Sequence, residues 1–244
     1  MVQLIVYSKR SPMIRITSGS IRTAQRYLRL HRSTHHRRAH SYEQISLVRN
    51  RVSLTLRCRW GIDHGLFYVA RSTSNPSKIL GCAMWLPPQP PSLPQSWSLY
   101  LSYWYLWLNQ IRMNFRYGRG GLSTRRYWTW KARQAEAQEA IWTSDSGYYF
   151  CNIVTVLPEA QGCGVGRALM EEVLKIADQD GICCYLESSR KIPNVAIYEK
   201  LGFKLVREMP CQDPETPGDE GKVMLYCMVR DPRSPENASS LNCT

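Results

Sequence analysis

The chain has 244 residues, of which 43% are hydrophobic and 21% charged, a balance that excludes a wholly disordered chain. No repeat of 20–50 residues is visible, which argues against a solenoid. Neither a glycine triplet nor a long heptad run occurs, which excludes collagen and coiled-coil arrays. Residues 1–133 hold 22 Lys and Arg against two acidic residues, a net charge of +20, whereas residues 134–244 carry −7. A basic half can favour nucleic acid, an anionic membrane or acidic small molecules, although a solvated Arg-rich segment is the simpler interpretation.

The first 60 residues are rich in Arg, Ser and His and almost lack acids, so we predict a basic, poorly defined N-terminal extension over 1–60. A mitochondrial presequence, a disordered tail or a wrongly assigned gene start would each have this composition. Thr17–Leu30 could form a short basic helix, and Met13–Ile16 could form a strand. The crowded histidines lack carboxylate or Cys partners, so no metal site is expected at His31, His35, His36 and His40.

The first clear secondary-structure pattern in the sequence begins at Leu66. Two β-rich runs, Leu66–Arg71 and Lys78–Leu86, flank the polar turn Ser72–Ser77, which predicts a hairpin. No charged residue lies between Ile79 and Ile111, but five prolines interrupt this stretch, so no membrane span is expected.

An aromatic block follows the prolines. Trp97–Trp107 predicts a helix that extends to about Phe115, buried in the protein, with a membrane-interface helix as the alternative. A second helix is predicted from about Tyr127 to Trp142, where Ala and Glu are abundant.

The last hundred residues alternate between strand and helix patterns, which predicts an α/β layout with at least one right-handed crossover. The predicted order is strand Tyr148–Leu157, helix Val165–Gln179, strand Ile182–Leu186, helix Pro193–Leu201, and strands Phe203–Met209 and Val223–Val229. The predicted helix Pro193–Leu201 has Pro in its first turn and Gly202 just past its end, a common arrangement of helix termini.

The nine cysteines include no C-x-x-C pair, and several lie in apolar runs. They therefore predict free thiols rather than a zinc or redox site. Because no secretory signal is recognised, we expect a reducing, cytoplasmic location, with a mitochondrial one as the alternative.

The most informative segment is Gln161–Arg167, which follows a predicted strand and opens a predicted helix. Glycines at 162, 164 and 166 allow a tight turn whose backbone N–H groups point outward at the positive end of the helix, an arrangement that binds phosphate or pyrophosphate. Neither the Walker nor the Rossmann spacing is present. A turn that serves only strand-to-helix geometry is the alternative.

Two motifs in order resemble the GNAT N-acetyltransferases: Gln161-x-x-Gly164-x-Gly166, and about 30 residues later NVAIYEKLGF from Asn194 to Phe203. The resemblance covers about 66–229 and is strongest to fungal members with an aromatic insertion. It implies a mixed central sheet flanked by helices, in which two splayed parallel strands form a gap for CoA. The implied domains are an acetyltransferase domain over 61–232 with an insertion at 87–142, followed by a polar tail at 233–244.

The resemblance also implies acetyl-CoA as co-substrate and direct attack by an amine of a small molecule. Backbone groups near Val154 and Val156 would pair with the pantetheine arm, and Asn194 would touch it. Tyr198 would protonate the leaving thiolate and also contact the cofactor. The pyrophosphate would lie on the loop formed by Gln161, Gly162, Cys163, Gly164, Val165, Gly166 and Arg167.

Glu187 ends a buried strand at its carboxyl side, where α/β sheets place functional groups, and is the candidate general base or ammonium-binding group. A surface carboxylate, and a core role for Tyr198, are the plain alternatives. The family's usual opening strand and helices are not recognisable in residues 1–60. Two other functions therefore remain open, a CoA-binding relic without turnover and a basic nucleic-acid-binding protein, although no nucleic acid is expected. The aromatic stretch Trp97–Trp130 is expected to form a wall of the acceptor pocket.

Overall fold

A computed structural model describes residues 2–7, 47–90, 94, 96–118, 124–212 and 222–233, with the backbone alone at 2–7. The elements are β1 (Val2–Tyr7), α1 (Leu47–His64), β2 (Leu66–Ser72), β3 (Ile79–Leu86), α2 (Trp97–Tyr117), α3 (Thr124–Ile141), β4 (Tyr149–Val156), α4 (Val165–Asp180), β5 (Cys184–Ser188), α5 (Asn194–Glu199), β6 (Lys204–Gln212) and β7 (Lys222–Arg230). The chain divides into two compact units, and β3, β4 and α4 contribute residues to both.

Unit 1 comprises Met1–Met84, Gln95–Ser123 and Val154–Leu169. Its strands follow the order β1-β2-β3-β4, and β1 pairs antiparallel with β2 from Val2↔Ser72 to Tyr7↔Phe67. The hairpin predicted for β2 and β3 is confirmed, with Ser72 N donating to Lys78 O at 3.1 Å.

β1 and most of α1 lie inside the segment that was expected to be poorly defined, and the expected boundary between residues 60 and 61 falls within α1. The apolar run of β1 was hidden because the segment's average composition is dominated by Arg and Ser. Thr17–Leu30, Met13–Ile16 and the histidine cluster lie outside the described residues.

Helix α2 begins at Trp97 as predicted, and it packs on α1 through polar groups. Trp60 Nε1 donates to Ser102 Oγ at 3.0 Å, and the Trp60 ring lies 4.7 Å from that of Tyr103. Ser53 Oγ donates to Gln110 Oε1 at 3.0 Å. Hydrogen bonds and ring contacts therefore hold α2 to α1.

The prediction that the aromatic helix is buried is wrong for most of its large side chains. Only Met113 is buried in α2, whereas Trp97 is 79% exposed. The other exposed large side chains are Tyr100, Leu101, Tyr103, Trp104, Tyr105, Trp107, Leu108, Phe115 and Tyr117. No helix within the described ranges is long and apolar enough to cross a membrane.

Unit 2 comprises Trp85–Pro94, Thr124–Ile153 and Met170–Thr244. Its strands follow the order β4-β5-β7-β6, in which β4 and β5 are parallel and β7 is antiparallel to both neighbours. This order agrees with the predicted mixed sheet flanked by helices. One core cluster of unit 2 comprises Ala137, Tyr148, Phe150, Tyr185, Met209, Cys211, Leu225 and Cys227.

The parallel pair β4 and β5 separates early. Its register runs Tyr149↔Cys184, Phe150↔Tyr185 and Cys151↔Leu186 and then stops, although β4 continues to Val156 and β5 to Ser188. Backbone groups beyond the last pair are thus not used between these two strands, as expected for splayed parallel strands.

An ion pair ties the end of α4 to β7 in unit 2. The guanidinium of Arg230, which is 3% exposed, donates to both carboxylate oxygens of Asp178 at 2.7 and 2.8 Å and to Leu201 O at 3.1 Å. Burial by itself would raise the pKa of Asp178, but hydrogen bonds from Arg230 and from the Arg233 backbone outweigh burial and lower it. Gly202 follows α5 with φ +94°, which confirms its predicted position past a helix end.

Candidate active site

The glycine-rich loop has the backbone that its sequence predicts. Gly162 and Gly164 have φ of +78° and +77°, a region that residues with a side chain rarely adopt. A Cβ built on either glycine would meet no atom within 4 Å. Both positions therefore border open space, in which a bound group could approach the backbone closely.

Helix α4 begins where this loop ends. Its first intrahelical bond runs from Ala168 N to Gly164 O at 3.0 Å, so the N–H groups of Val165 and Gly166 precede the regular ladder. Val165 is 1% exposed and anchors the helix start, whereas Cys163 is exposed. Such a helix start can bind an anion through backbone donors and the helix dipole.

The end of β4 lies beside this loop within unit 1. Leu157 N donates to Leu80 O at 2.8 Å, and Gln161 Nε2 donates to Val156 O at 3.4 Å. Val154 and Val156 are partly buried and alternate with the exposed Thr155. The loop residue Gln161 therefore caps the same strand end whose backbone was expected to pair with a cofactor arm.

Gly81 of β3 also shapes this strand end, although it was not among the predicted site residues. A Cβ at Gly81 would lie 2.7 Å from Thr155 O, closer than Cβ atoms approach backbone, and 3.3 Å from Val156 Cα, a tight contact. An isolated glycine in a strand pattern is the signal of a close backbone approach that could have identified it.

Asn194 and Tyr198 lie one helical turn apart on α5 in unit 2. Asn194 Nδ2 donates to Ser188 Oγ at 3.1 Å, which joins the start of α5 to the end of β5. The Tyr198 ring packs edge-on against Phe203 with centroids 6.1 Å apart. Burial raises the pKa of Tyr198 to about 12, and the nearby Cys151 thiol adds to the rise. The phenol is therefore neutral, and able to donate a hydrogen bond, across the physiological range.

Glu187 lies within β5, and three side chains donate to its carboxylate. Gln134 Nε2 donates to Oε2 at 2.6 Å, while the Tyr185 hydroxyl and Gln138 Nε2 donate to Oε1 at 2.9 and 3.2 Å. Tyr185 is fully buried, and burial followed by the charge of Glu187 raises its pKa. The carboxylate is thus held in one orientation rather than moving freely at the surface.

The structure brings Asn194 and Tyr198 together and separates them from Glu187. Successive residues of a strand point to opposite faces, so Glu187 contacts α3 while its neighbour Ser188 contacts Asn194 of α5. Cys151, which faces Tyr198, also contacts Met170 of α4 at 3.8 Å. The two catalytic candidates therefore lie on opposite faces of the unit 2 strands. The glycine-rich loop belongs to unit 1.

Gln134 and Gln138 were missed because their role depends on contacts about 50 residues away in the sequence. Their i, i+4 spacing on an Ala-rich helix was visible, but it did not indicate a partner. Within the described ranges, no group of three or more His, Cys, Asp or Glu side chains could hold a metal ion.

Part of the chain is similar to known proteins. A model described as an acetyltransferase (GNAT) domain matches residues 124–205, from the start of α3 into β6. An uncharacterised N-acetyltransferase of Schizosaccharomyces pombe is 34% identical over 94 residues. That alignment covers 38% of this chain and only 36% of the fungal relative. The resemblance to GNAT proteins, including a fungal one, is confirmed over this part of the chain.

Solved structures are similar at low sequence identity. Arylalkylamine N-acetyltransferase 2 from Aedes aegypti is 11% identical, with 95% of this chain and 99% of that chain covered and a TM-score of 0.51. Arabidopsis thaliana NAA60, solved in complex with acetyl-CoA, is 12% identical with the same coverage and a TM-score of 0.47. At this identity the first likeness supports the fold alone.

Proposed function

We propose that this chain, whose residues 124–205 match a model of an acetyltransferase (GNAT) domain, transfers an acetyl group from acetyl-CoA to an amine of a small-molecule acceptor. The observation that carries the proposal is the loop before α4. Its two glycines with positive φ border open space beside a helix start, and the loop lies inside the matched residues. Backbone donors at such a helix start fit a pyrophosphate.

The residues present fit acetyl-CoA. The loop Gln161–Arg167 would hold the pyrophosphate, and the end of β4 at Val154 and Val156 would offer backbone groups to the pantetheine arm. In unit 2, Asn194 is a further proposed cofactor contact, and its amide is held by Ser188 Oγ. When bound, acetyl-CoA supplies the activated acetyl group. The chain binds both substrates and provides the groups that accept and donate protons.

The acceptor would approach Glu187. Glu187 directly follows Leu186, the last residue of β5 that pairs with β4, so its carboxylate stands where the strands cease to be joined. An ionised carboxylate attracts an ammonium and can accept its proton, directly or through water. The free amine would then attack the thioester carbonyl, a C–N bond would form, and the C–S bond would break.

Tyr198 would stabilise the leaving thiolate from the opposite face of the unit 2 strands. Its neutral phenol donates a hydrogen bond to the negative charge that develops on sulfur. The separation of Glu187 and Tyr198 on two faces supports this division of labour, since acceptor and acetyl donor would then enter from different sides.

A matched pair of glycine variants tests cofactor binding. Gly164→Glu places a side chain and a negative charge in the loop, whereas Gly181→Glu makes the same change at the far end of α4. Gly181 also has a positive φ (+66°) and open space around it, so both variants carry similar backbone strain. Isothermal titration with acetyl-CoA should show binding lost in Gly164→Glu and kept in Gly181→Glu. Equal affinity in both would remove the loop assignment.

Turnover is tested by following thiol release from acetyl-CoA over a panel of primary amines. Release that depends on one amine supports the proposed reaction and identifies the acceptor class. Tight acetyl-CoA binding with no turnover across the panel would instead support the CoA-binding relic.

We also propose a cytoplasmic location. All eight cysteines in the described ranges are free, and several are buried beside one another without forming disulfides. Free thiols of this kind suit a reducing compartment. Fluorescent fusions at each terminus would distinguish this location from a mitochondrial one.

A further inference from the structure

The carboxylate of Glu187 has one acceptor position left. An ionised carboxylate oxygen can accept about two hydrogen bonds. Oε1 already takes two, from Tyr185 and Gln138, whereas Oε2 takes one, from Gln134. Among the residues that the structure describes, Oε2 is therefore the oxygen able to accept a further donor.

The amide of Gln134 is oriented by a cation. Lys131 Nζ donates to Gln134 Oε1 at 2.8 Å, and Gln134 Nε2 donates to Glu187 Oε2 at 2.6 Å. An ammonium only donates and an ionised carboxylate only accepts, so the amide has one consistent orientation between them. A flipped amide would set its oxygen against the carboxylate and its NH2 group against Lys131.

Gln134 is also well packed. It is 8% exposed on the face of α3 that carries the buried Ala137. A buried amide is costly unless both of its ends are hydrogen-bonded, and here both are. Its position, and with it the direction of the remaining acceptor position on Oε2, is therefore fixed by the helix.

We propose that Gln134 is a positioning residue that aims Oε2 of Glu187 at the ammonium of the acceptor, and that Lys131 keeps the Gln134 amide in the required orientation. This inference rests on the proposed acetyl transfer and deepens it, because it identifies a protonated amine with at least one N–H as the acceptor form. The thiols of Cys211 and Cys227 face the same carboxylate, and burial raises the pKa of each, so they stay neutral beside it.

Kinetics on the amine identified by the panel provides the first test. Gln134→Leu should lower kcat/KM for the amine about 10- to 100-fold, the range expected for one hydrogen bond to a charged group, with acetyl-CoA affinity unchanged. Lys131→Met should lower it by a smaller factor, and Lys131→Arg, which keeps a donor-only cation, should restore it.

Arg133→Met is the matched control, because Arg133 is also on α3 and donates to the side chain three residues later, Glu136, at 2.8 Å. It should leave kinetics unchanged. Equal loss in Arg133→Met and Lys131→Met would mean that helix charge, rather than the amide's orientation, matters. Wild-type kinetics in Gln134→Leu would overturn the inference while leaving the proposed transfer intact.

A second readout does not need turnover. The side-chain NH2 signals of Gln134, identified by their loss in Gln134→Leu, should move in ¹⁵N NMR on adding butylammonium but not tetramethylammonium, which has no N–H. They should also move in Lys131→Met and not in Arg133→Met. If the wild-type protein shows these NMR shifts but no turnover, the proposed acetyl transfer is contradicted and the positioning role is not. If the Gln134 signals respond neither to butylammonium nor to Lys131→Met, the positioning role is overturned.

Discussion

The phenol of Tyr198 is a weaker acid than an ordinary tyrosine. With its pKa raised to about 12, complete proton transfer to a thiolate, whose conjugate acid ordinarily has a pKa near 8.5, is uphill. Hydrogen-bond donation to the developing charge requires no such transfer. We therefore expect Tyr198 to stabilise the departing sulfur while it stays protonated.

Replacing Tyr198 by Phe removes the hydroxyl and keeps the ring packed against Phe203. Turnover should fall about 10²- to 10³-fold, the range for loss of one hydrogen-bond donor to developing charge, with acetyl-CoA affinity changed only slightly. Because the phenol stays neutral, wild-type turnover should show no alkaline fall up to pH 10 from this group. Undiminished turnover in the variant would assign the thiolate to water or another residue, and lost cofactor binding would make Tyr198 structural.

Some residues of the candidate site can be identified from the sequence, and others cannot. Gly162 and Gly164 could be found because their requirement is local: the turn itself needs positive φ. Glu187 could be placed on a buried strand, but its donors Gln134 and Gln138 could not be identified. Their contact forms only when α3 packs against β5, and no local pattern encodes that partner.

At the scale of elements, the Asp178–Arg230 pair fastens α4 to β7. A carboxylate whose folded pKa lies below its unfolded value stabilises the protein above that unfolded value, and the stabilisation disappears as pH falls through the folded pKa. The pKa of Asp178 is lowered from 3.8, so its contribution should be complete at neutral pH and decline below about pH 4.

Asp178→Asn leaves the buried Arg230 without its counter-charge. It should lower the free energy of unfolding by about 3 kcal/mol at pH 7, and the difference from wild type should shrink as pH falls below about 4. Asp231→Asn is the control, because it breaks an exposed pair with Lys204 at 3.1 Å and should cost less than about 1 kcal/mol. Denaturant melts from pH 3 to pH 7 measure both; a difference that grows on acidification would contradict the assignment.

Helix α2 was predicted at the correct position in the sequence, but the prediction that its large side chains are buried was wrong. Apolar side chains recur at Trp97, Leu101, Trp104, Leu108 and Phe115, a spacing typical of a core-facing stripe. The structure turns this stripe outward and packs the opposite side on α1 through Ser102 and Gln110. Periodicity reveals that a helix has two faces, but the partner decides which one is covered.

At the scale of the whole molecule, the two halves of the sequence differ in how much they reveal. The strand and helix order of the second half was predicted correctly, because β4 to β7 and the intervening helices have clear apolar periods and glycine-marked ends. The first half was obscured, since β1 is six residues long and α1 carries Arg49 and Ser53 on its buried side. Polar interfaces of this kind leave no hydrophobic pattern.

The structure changes the expected result of an N-terminal deletion. A poorly defined extension over residues 1–60 would be dispensable for folding, but a chain beginning near Gly61 lacks β1 and most of α1. Loss of β1 would expose the edge of β2 along its full register, and loss of α1 would remove the partners of Ser102 and Gln110 on α2. We expect it to aggregate or to melt without cooperativity, as followed by circular dichroism. A soluble, cooperative chain from Gly61 would show that β1 and α1 are dispensable after all.

The exposed aromatic side chains of α2 also affect the tryptophan fluorescence of the protein. Of the eight tryptophans, Trp97, Trp104, Trp107 and Trp128 are exposed, whereas Trp85 is fully buried. Native emission should therefore already be shifted towards that of indole in water, and the further shift on unfolding should come from the less exposed tryptophans, Trp85 above all. Since the first half of the chain is strongly cationic, iodide should gather near these indoles and quench them more effectively than caesium does.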